Sequence, residues 1–535
     1  MHKGRRWIVL GRVLALVAAI IAGLAWALSS PVGASPDDDF HQASIWCPVP
    51  VESSGCPVRT DATGAVQAVE VPRVVAEAAA CFAFHNEISG SCTLHIPSGM
   101  TWTDRFNQGE YPGGFYRTMH LFAGPDVQRS VALMRAANVL IAVALLGSLA
   151  LVAAPGQRRM LGLGLLAPLV PLGIFLSASI NPSGWSFVGV ATAAAGLLVG
   201  ADAPSRRRAI AAGALAVVGA LLAINARGDA GPYLCVTAAA VGLATLRWNG
   251  RWLLTRGPAV VLVGAIGLFS YLTSRQAALI SETQQAVVDK PTRLFYHNVL
   301  ELPNLFTGMF GSWALGWTDN PMPQVVSVSS LAVAILVVVV GVSSLNVGKA
   351  AALLLVTAVM VVLPVLLLLR LGASVGSWVQ PRYLLPLAPV FLLLLAYDPR
   401  RRASIRLSLA QCVLAGTLAS VAYTVGLYTT LRRYLTGLDG PLIIGRGVEW
   451  WWGSVPGPRV VFVAGTLCFT IVAFTLLLGE GTVIRRVLRR PALADRSGTP
   501  AAAVAGSSAG AEAPVRQPTA EADPEPAPAE PARGD

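Results

Sequence analysis

Charge is scarce in this chain, and acidic charge is the scarcer kind. Asp, Glu, Lys and Arg make up 13% of the 535 residues, 28 acidic and 40 basic, for a net charge of +12. A soluble domain carries about 25% charged residues. With 54% hydrophobic residues and a mean hydropathy of +0.61, the composition excludes a chain that is water-facing throughout. An all-α polytopic membrane protein is expected instead. The basic excess does not point to nucleic acid. The Arg clusters lie between apolar segments, as positive-inside anchors do, so no nucleic-acid partner is expected. Also missing are a Walker loop, a dinucleotide fingerprint on a strand–helix unit, and a nucleophile elbow between strand and helix. Nucleotide-driven, dinucleotide-dependent and serine-hydrolase chemistry therefore lack a carrier. No internal repeat marks an inverted-repeat transporter.

Cysteine is sparse too, and its placement is informative. Cys47, Cys56, Cys81 and Cys92 share one polar stretch, while Cys235, Cys412 and Cys468 sit in apolar segments as small core residues. Four cysteines in one loop point to an oxidising compartment and up to two disulfides, in any of three pairings. Their spacing does not match a zinc site.

What is present is a series of about twelve apolar runs long enough to span a bilayer. The first, residues 7–28, is too long for a signal-peptide core and reads as a retained helix. Arg5-Arg6 sets the N-terminus inside. Residues 29–130 then form a large outer loop, and 274–324 a second one. A third outer loop covers about 431–457. Alternation places Arg158-Arg159, Arg206-Arg207-Arg208, Arg247, Lys349, Arg400-Arg401-Arg402 and Arg485-Arg486 all inside. The loop cysteines and the main acidic cluster fall outside. The fourth to sixth runs are short and rich in Ala and Gly, which suits close packing. Residues 1–480 thus form a transmembrane domain. Residues 481–535 are rich in Ala, Pro, Glu, Ser and Gly and are expected to be a disordered cytoplasmic tail.

The chain is organised around Ser35-Pro36-Asp37-Asp38-Asp39-Phe40-His41, directly after the first span. Carboxylates beside hydrocarbon are costly unless paired or used, so the cluster is a candidate catalytic site. The plainer reading is a helix start, with Ser35 as N-cap, Pro36 as first residue and Asp37 and Asp38 near the positive end of the dipole. The two readings are compatible. Asp37 and His41 are four apart and would share one helical face. A divalent cation such as magnesium, manganese or calcium at Asp37, Asp38 and His41 is a weaker candidate. The other outer histidines, His85, His95, His120 and His297, are scattered.

Three further stretches face outward. Glu110-Tyr111-Pro112-Gly113-Gly114-Phe115-Tyr116-Arg117 offers rings for stacking on sugar or lipid, or an interfacial aromatic belt. Residues 293–310 have Leu at near-helical spacing and could lie in the interface. They lead into Gly316-Trp317-Thr318-Asp319, which either lines a polar cavity or caps the bundle. Arg382, followed by Tyr383, either holds a lipid-linked phosphate or snorkels to headgroups. The Arg227-Gly228-Asp229 turn reads as a simple polar connection.

Together these stretches resemble the bacterial membrane proteins grouped as DUF2142, which in turn resemble GT-C glycosyltransferases. That family's Pro-Asp-Glu-x-x-His motif is similar to Pro36-Asp37-Asp38-Asp39-Phe40-His41. Its loop-end aromatic motif stands weakened at Tyr111-Pro112-Gly113-Gly114-Phe115-Tyr116, and its Asn-Pro-Asp turn as Asn181-Pro182-Ser183, without the acid. Its Gly-Trp-x-Asp and Arg-Tyr-x-x-Pro elements match Gly316-Trp317-Thr318-Asp319 and Arg382-Tyr383-Leu384-Leu385-Pro386. The resemblance implies a polyprenyl-phosphate-linked sugar donor, a cell-envelope acceptor, and inverting transfer at the outer face of the plasma membrane. It implies Asp37 or Asp38 as base and Arg382 on the leaving phosphate. Tyr383, His41, Tyr111, Tyr116, Trp317 and Asp319 would line the substrate. The rival expectations are a transporter or flippase for lipid-linked glycans and a non-catalytic envelope scaffold.

Overall fold

The computed structural model describes residues 2–247, 250–274, 291–377, 379–445, 449–453 and 456–479. The expected tail, the basic anchor at 485–490 and residues 275–290 of the second loop lie outside the described residues. So does the smaller of two compact units, Leu488–Asp535. The larger unit, Met1–Val487, holds all the elements below.

Fifteen helices of eight residues or more are described, numbered here in chain order. They are α1 (His2–Leu28), α2 (Asp38–Trp46), α3 (Gly113–His120), α4 (Val127–Val152) and α5 (Pro155–Pro168). Next come α6 (Pro182–Ala201), α7 (Arg206–Ile224), α8 (Ala230–Thr245), α9 (Gly257–Thr273) and α10 (Pro291–Thr307). The last five are α11 (Gln324–Val342), α12 (Val347–Arg370), α13 (Leu387–Ala396), α14 (Leu409–Thr436) and α15 (Pro458–Leu478). Among the described residues, nine helical segments are long and apolar enough to cross a bilayer. Three shorter apolar helices, α8, α9 and α13, stand where the remaining expected spans fall. The chain is an all-α polytopic membrane protein.

Helix starts follow their capping residues. Asp126, Asn181, Ser205, Asn346 and Ser408 each accept a backbone N–H from the first turn of the helix that follows. α6 is the centre of the bundle, and every one of its residues is buried. It reaches α7 through glycine. A Cβ on Gly189 would lie 2.5 Å from the Gly219 carbonyl, and one on Gly196 2.7 Å from that of Ala212. Without a hydrophobic drive between helices in lipid, such close backbone contact supplies the packing. α5 breaks at Pro168 and Pro171, where Val170 leaves helical geometry. Ser330 satisfies the freed Val170 carbonyl at 2.9 Å, as buried backbone in a bilayer requires.

The bundle has two chemically distinct ends. At one, Lys349 is fully buried and donates to the carbonyls of Gly341, Leu395 and Tyr397, at the C-termini of α11 and α13. Arg247 and Tyr397 both bond Asp202 there. The opposite end carries the acidic motif and the first large loop. That loop is more than helix. Its β1 (Val58–Thr60), β2 (Val66–Pro72) and β3 (Met100–Thr103) form an antiparallel sheet, with Glu70 opposite Trp102. Alternation buries Val69 and Val71. Two disulfides brace it, Cys47 with Cys56 and Cys81 with Cys92.

Candidate functional site

The site begins where α1 ends. Arg135, near the start of α4, is fully buried and donates to the carbonyls of Ala27, Ser30 and Pro31 at 3.0, 2.7 and 2.8 Å. It thereby satisfies backbone that α1 leaves unpaired and directs the chain into the acidic motif. Its Nη2 also lies 3.8 Å from Asp38 Oδ2. Asp38 is wholly buried, and the Ser35 amide donates to it at 3.4 Å. Burial pushes its carboxyl up to about 6, against the pull of Arg135.

Helix α2 starts two residues later than its composition suggests. Asp38 is its first residue, and Asp37 takes the N-cap position with φ of 58° and no side-chain cap. The Ser35 carbonyl accepts from the Asp38 amide instead. A left-handed backbone is uncommon for a residue with a Cβ and is worth reading for function. Its effect is to aim the Asp37 carboxylate away from the helix end. Arg382 Nη2 donates to Asp37 Oδ2 at 2.8 Å, and Arg105 stands 3.7 Å away. The Asp37 side chain is 39% exposed, whereas that of Arg382 is 11% exposed. Partial burial works to raise the Asp37 carboxyl. The charge and hydrogen bond of Arg382, with a smaller pull from Arg105, together outweigh it and hold the group below the usual range. Asp39 is engaged by Arg105 at 2.6 Å.

Arg382 lies in a one-turn helix, Pro381–Leu384, set up by Pro at its first position. Its guanidinium sits over the Tyr383 ring at 5.2 Å. Arg227 sits over the same ring at 5.1 Å and over Tyr111 at 5.6 Å. Arg227 is nearly buried, pairs with Asp229, and donates to Ser183 Oγ at 3.3 Å. The turn read as a simple polar connection therefore puts a second guanidinium beside Arg382. Asn181, next to it, donates to the Pro36 carbonyl at 2.9 Å and caps α6.

Behind the motif is an aromatic wall. His41 is buried, with Nδ1 3.0 Å from the Tyr116 hydroxyl. Burial pushes its imidazole down to about 3, so it stands neutral at pH 7. Its ring meets Phe40, Tyr111 and Tyr116. Tyr116 is fully buried and only Tyr111 of the pair is partly open.

The second loop closes the site from the other side. Helix α10 covers most of the stretch expected to lie in the interface, and it buries Asn298, Leu302 and Leu305. The loop after it turns through Gly311 and Gly316, both at positive φ. Trp317 donates its indole N–H to the Gly33 carbonyl at 2.8 Å. Asp319 is buried and paired with Arg433 at 2.7 Å. Arg433 also donates to the carbonyls of Phe82, His85 and Ile88 in the first loop. Asp319 thus ties two loops to α14 rather than facing a cavity. A small cleft of about 30 Å³ is lined by Pro36, Trp313, Gln380 and Arg382 among others. That is room for about one water.

The expected site residues therefore sort into three groups. Asp37, Arg382, Tyr383 and Tyr111 converge on one partly open locus. Asp38, His41 and Tyr116 are buried beside it, while Trp317 and Asp319 bond the Gly33 carbonyl and Arg433 instead. No group of three His, Cys, Asp or Glu side chains among the described residues is placed to hold a metal ion. Arg105, Arg135, Arg227 and Arg433 do not stand out in the sequence. Only Arg227 sits in a short polar connection, where a lone Arg at the acidic end is a usable signal; Arg105 lies in the first large loop, and Arg135 and Arg433 lie within α4 and α14.

Residues 20–391 match a family described as a predicted membrane protein, DUF2142, and the chain belongs to that family. No curated protein and no solved structure matches the chain.

Proposed function

We propose that this DUF2142 chain is an integral-membrane glycosyltransferase. It moves a sugar from a polyprenyl-phosphate donor to a cell-envelope glycan, lipid or protein acceptor on the outer face, with inversion. The observation that carries this reading is the Asp37–Arg382 contact of 2.8 Å at the only partly open acid of the motif's first two. A carboxylate and a guanidinium at one exposed point are what transfer from a lipid phosphate needs.

In the resting arrangement Arg382 is satisfied by Asp37. A donor phosphate competes for that guanidinium, with Arg227 adding positive charge from across the Tyr383 ring. Asp37 loses its strongest partner as the phosphate binds, so its proton affinity rises toward that of a working base. The acceptor oxygen then attacks the anomeric carbon and its proton goes to Asp37. The bond from that carbon to the phosphate oxygen breaks, and polyprenyl phosphate leaves with the electron pair. Asp38 keeps the motif in place through Arg135 and does not touch substrate.

The outward assignment is supported by both disulfides lying at this end and by Lys349 and Arg247 lying at the other. A transporter or flippase would need ionisable groups near mid-bilayer. Arg135, Lys349 and Arg433 each lie near an end of their helix and are bonded to backbone or acids, which favours chemistry at the surface. A scaffold would leave Asp37 without a task. The test is to incubate the purified chain with labelled polyprenyl-phosphate sugars and envelope acceptors. Transfer with inverted anomeric configuration is expected. Absence of transfer with every donor, together with labelled-lipid translocation in vesicles, would replace this reading by the carrier.

A further inference from the structure

One stretch of the first outer loop displays its residues while its backbone is held firmly in place. Phe84-His85-Asn86-Glu87-Ile88 are all exposed. The Cys81–Cys92 bridge closes the loop around them. Arg433 takes the carbonyls of Phe82, His85 and Ile88, and the Asn86 carbonyl accepts the Leu438 amide at 2.9 Å. Phe84 is the most unusual member, 69% exposed and at φ of 66°. A left-handed backbone is strained at an aromatic residue, and such strain gathers at ligand clamps, where the surroundings over-determine it. The Phe84 ring meets that of Trp317, with centroids 5.7 Å apart and planes at 66°. Thr318, the next residue, is also left-handed, at φ of 60°, and lines the cleft that Arg382 borders.

We propose that Phe84 and Trp317 seat the acceptor, and that the acceptor is an oligosaccharide rather than a lipid. This rests on the transferase reading above and names its substrate class. The rings supply the first reason. The C–H face of a sugar packs on an aromatic face, and two rings at an angle offer two such planes. The neighbours supply the second. His85 and Glu87 are paired at 3.2 Å with side chains 60% and 50% exposed, and exposed Asn86 lies between them in the chain. They offer donors and acceptors to sugar hydroxyls, whereas a lipid surface selects a continuous apolar face. Reach supplies the third. Trp317 donates to the Gly33 carbonyl, and Gly33 precedes Asp37 by four residues, at most about 14 Å of chain. A glycan of a few units seated on Phe84 therefore brings its terminal hydroxyl to Asp37.

The test uses the full chain in nanodiscs with no donor present, so that glycan binding is read apart from transfer. Saturation-transfer NMR would follow tetrasaccharides of mannose, arabinose, galactose and glucose. At least one should bind the wild type, and Phe84→Ala should raise its dissociation constant by about fivefold or more. Phe84→Trp keeps a ring and should stay within about twofold of wild type. In a transfer assay, Phe84→Ala should raise KM for that tetrasaccharide by a similar factor and leave kcat nearly unchanged. A wild type that binds the glycan but transfers no sugar would keep the glycan site and remove the transferase reading alone. Failure of every tetrasaccharide to bind the wild type would overturn the proposal, as would binding that Phe84→Ala leaves unchanged. A photo-crosslinking benzoylphenylalanine in place of Phe84 that captures nanodisc lipid and no tetrasaccharide would also overturn it, by giving the ring to the membrane.

Discussion

Two ion pairs at the same end of this molecule differ in what surrounds them. Asp319 and Arg433 are both fully buried, and Arg433 spends its remaining donors on carbonyls of Asp319, Phe82, His85 and Ile88. Asp37 and Arg382 are about equally close, but the acid is 39% exposed and is held by the guanidiniums of Arg382 and Arg105. The first pair has no capacity left for a ligand. The second can be opened by one. Burial, more than residue type or spacing, separates a carboxylate that holds the fold from one available for chemistry.

Breaking each pair should therefore give opposite phenotypes. Arg382→Gln is expected to lower transfer by about 10²–10³-fold, the effect of losing one donor to a developing anion. It should shift stability by only about 1 kcal/mol, because partly exposed pairs contribute little. Transfer rates and thermal unfolding on the same preparation check both. Arg433→Gln should do the reverse. It strands a buried carboxylate and four carbonyls, costing about 3–5 kcal/mol by thermal or denaturant unfolding. Transfer per folded molecule should fall far less than in Arg382→Gln.

Removing the Cys81–Cys92 bridge with paired Ser substitutions should cost up to about 3 kcal/mol, given the short loop of sequence separation 11. The bridge lies in the same loop that Arg433 grips, so the two losses should not add fully. Limited proteolysis of the first loop would show this. The smallest effect concerns pH. His41 is lowered to about 3, so the unfolded chain binds its proton first and acidification below 6.5 removes stability. Asp38 is raised to about 6, so acidification from about 6 to 3.8 adds stability. The two oppose each other between about pH 6 and 4. His41→Gln should gain stability over that window relative to wild type, by at most about 1.4 kcal/mol per pH unit.

Much of the fold is legible in the sequence. Apolar run length marks the spans, and Asn181-Pro182, Asn346 and Ser408 mark helix starts by local chemistry. The Val66 to Val71 alternation that makes β2 is short and is masked by stronger apolar runs. The site is legible only in part. Arg382 and Asp37 are 345 residues apart, and only a family resemblance brings them together in the sequence. Arg105 reaches Asp39 across 66 residues and Arg433 reaches Asp319 across 114. No local pattern encodes such closures; they arise from which helix ends come together. The start of α2 differs from expectation for another reason. Ser-Pro-Asp is a good capping sequence, but the Ser35 carbonyl takes the Asp38 amide, Asn181 binds the Pro36 carbonyl from outside, and Asp37 is left-handed.

The central claim is that the exposed acid performs chemistry and its buried neighbour does not. It is tested most directly by measuring sugar transfer and unfolding for Asp37→Asn beside Asp38→Asn. The account predicts a stable Asp37→Asn protein with transfer reduced by about 10²–10⁴-fold. It predicts a destabilised Asp38→Asn protein whose folded fraction still transfers. Full transfer by Asp37→Asn, or its loss only in Asp38→Asn at unchanged stability, would contradict it.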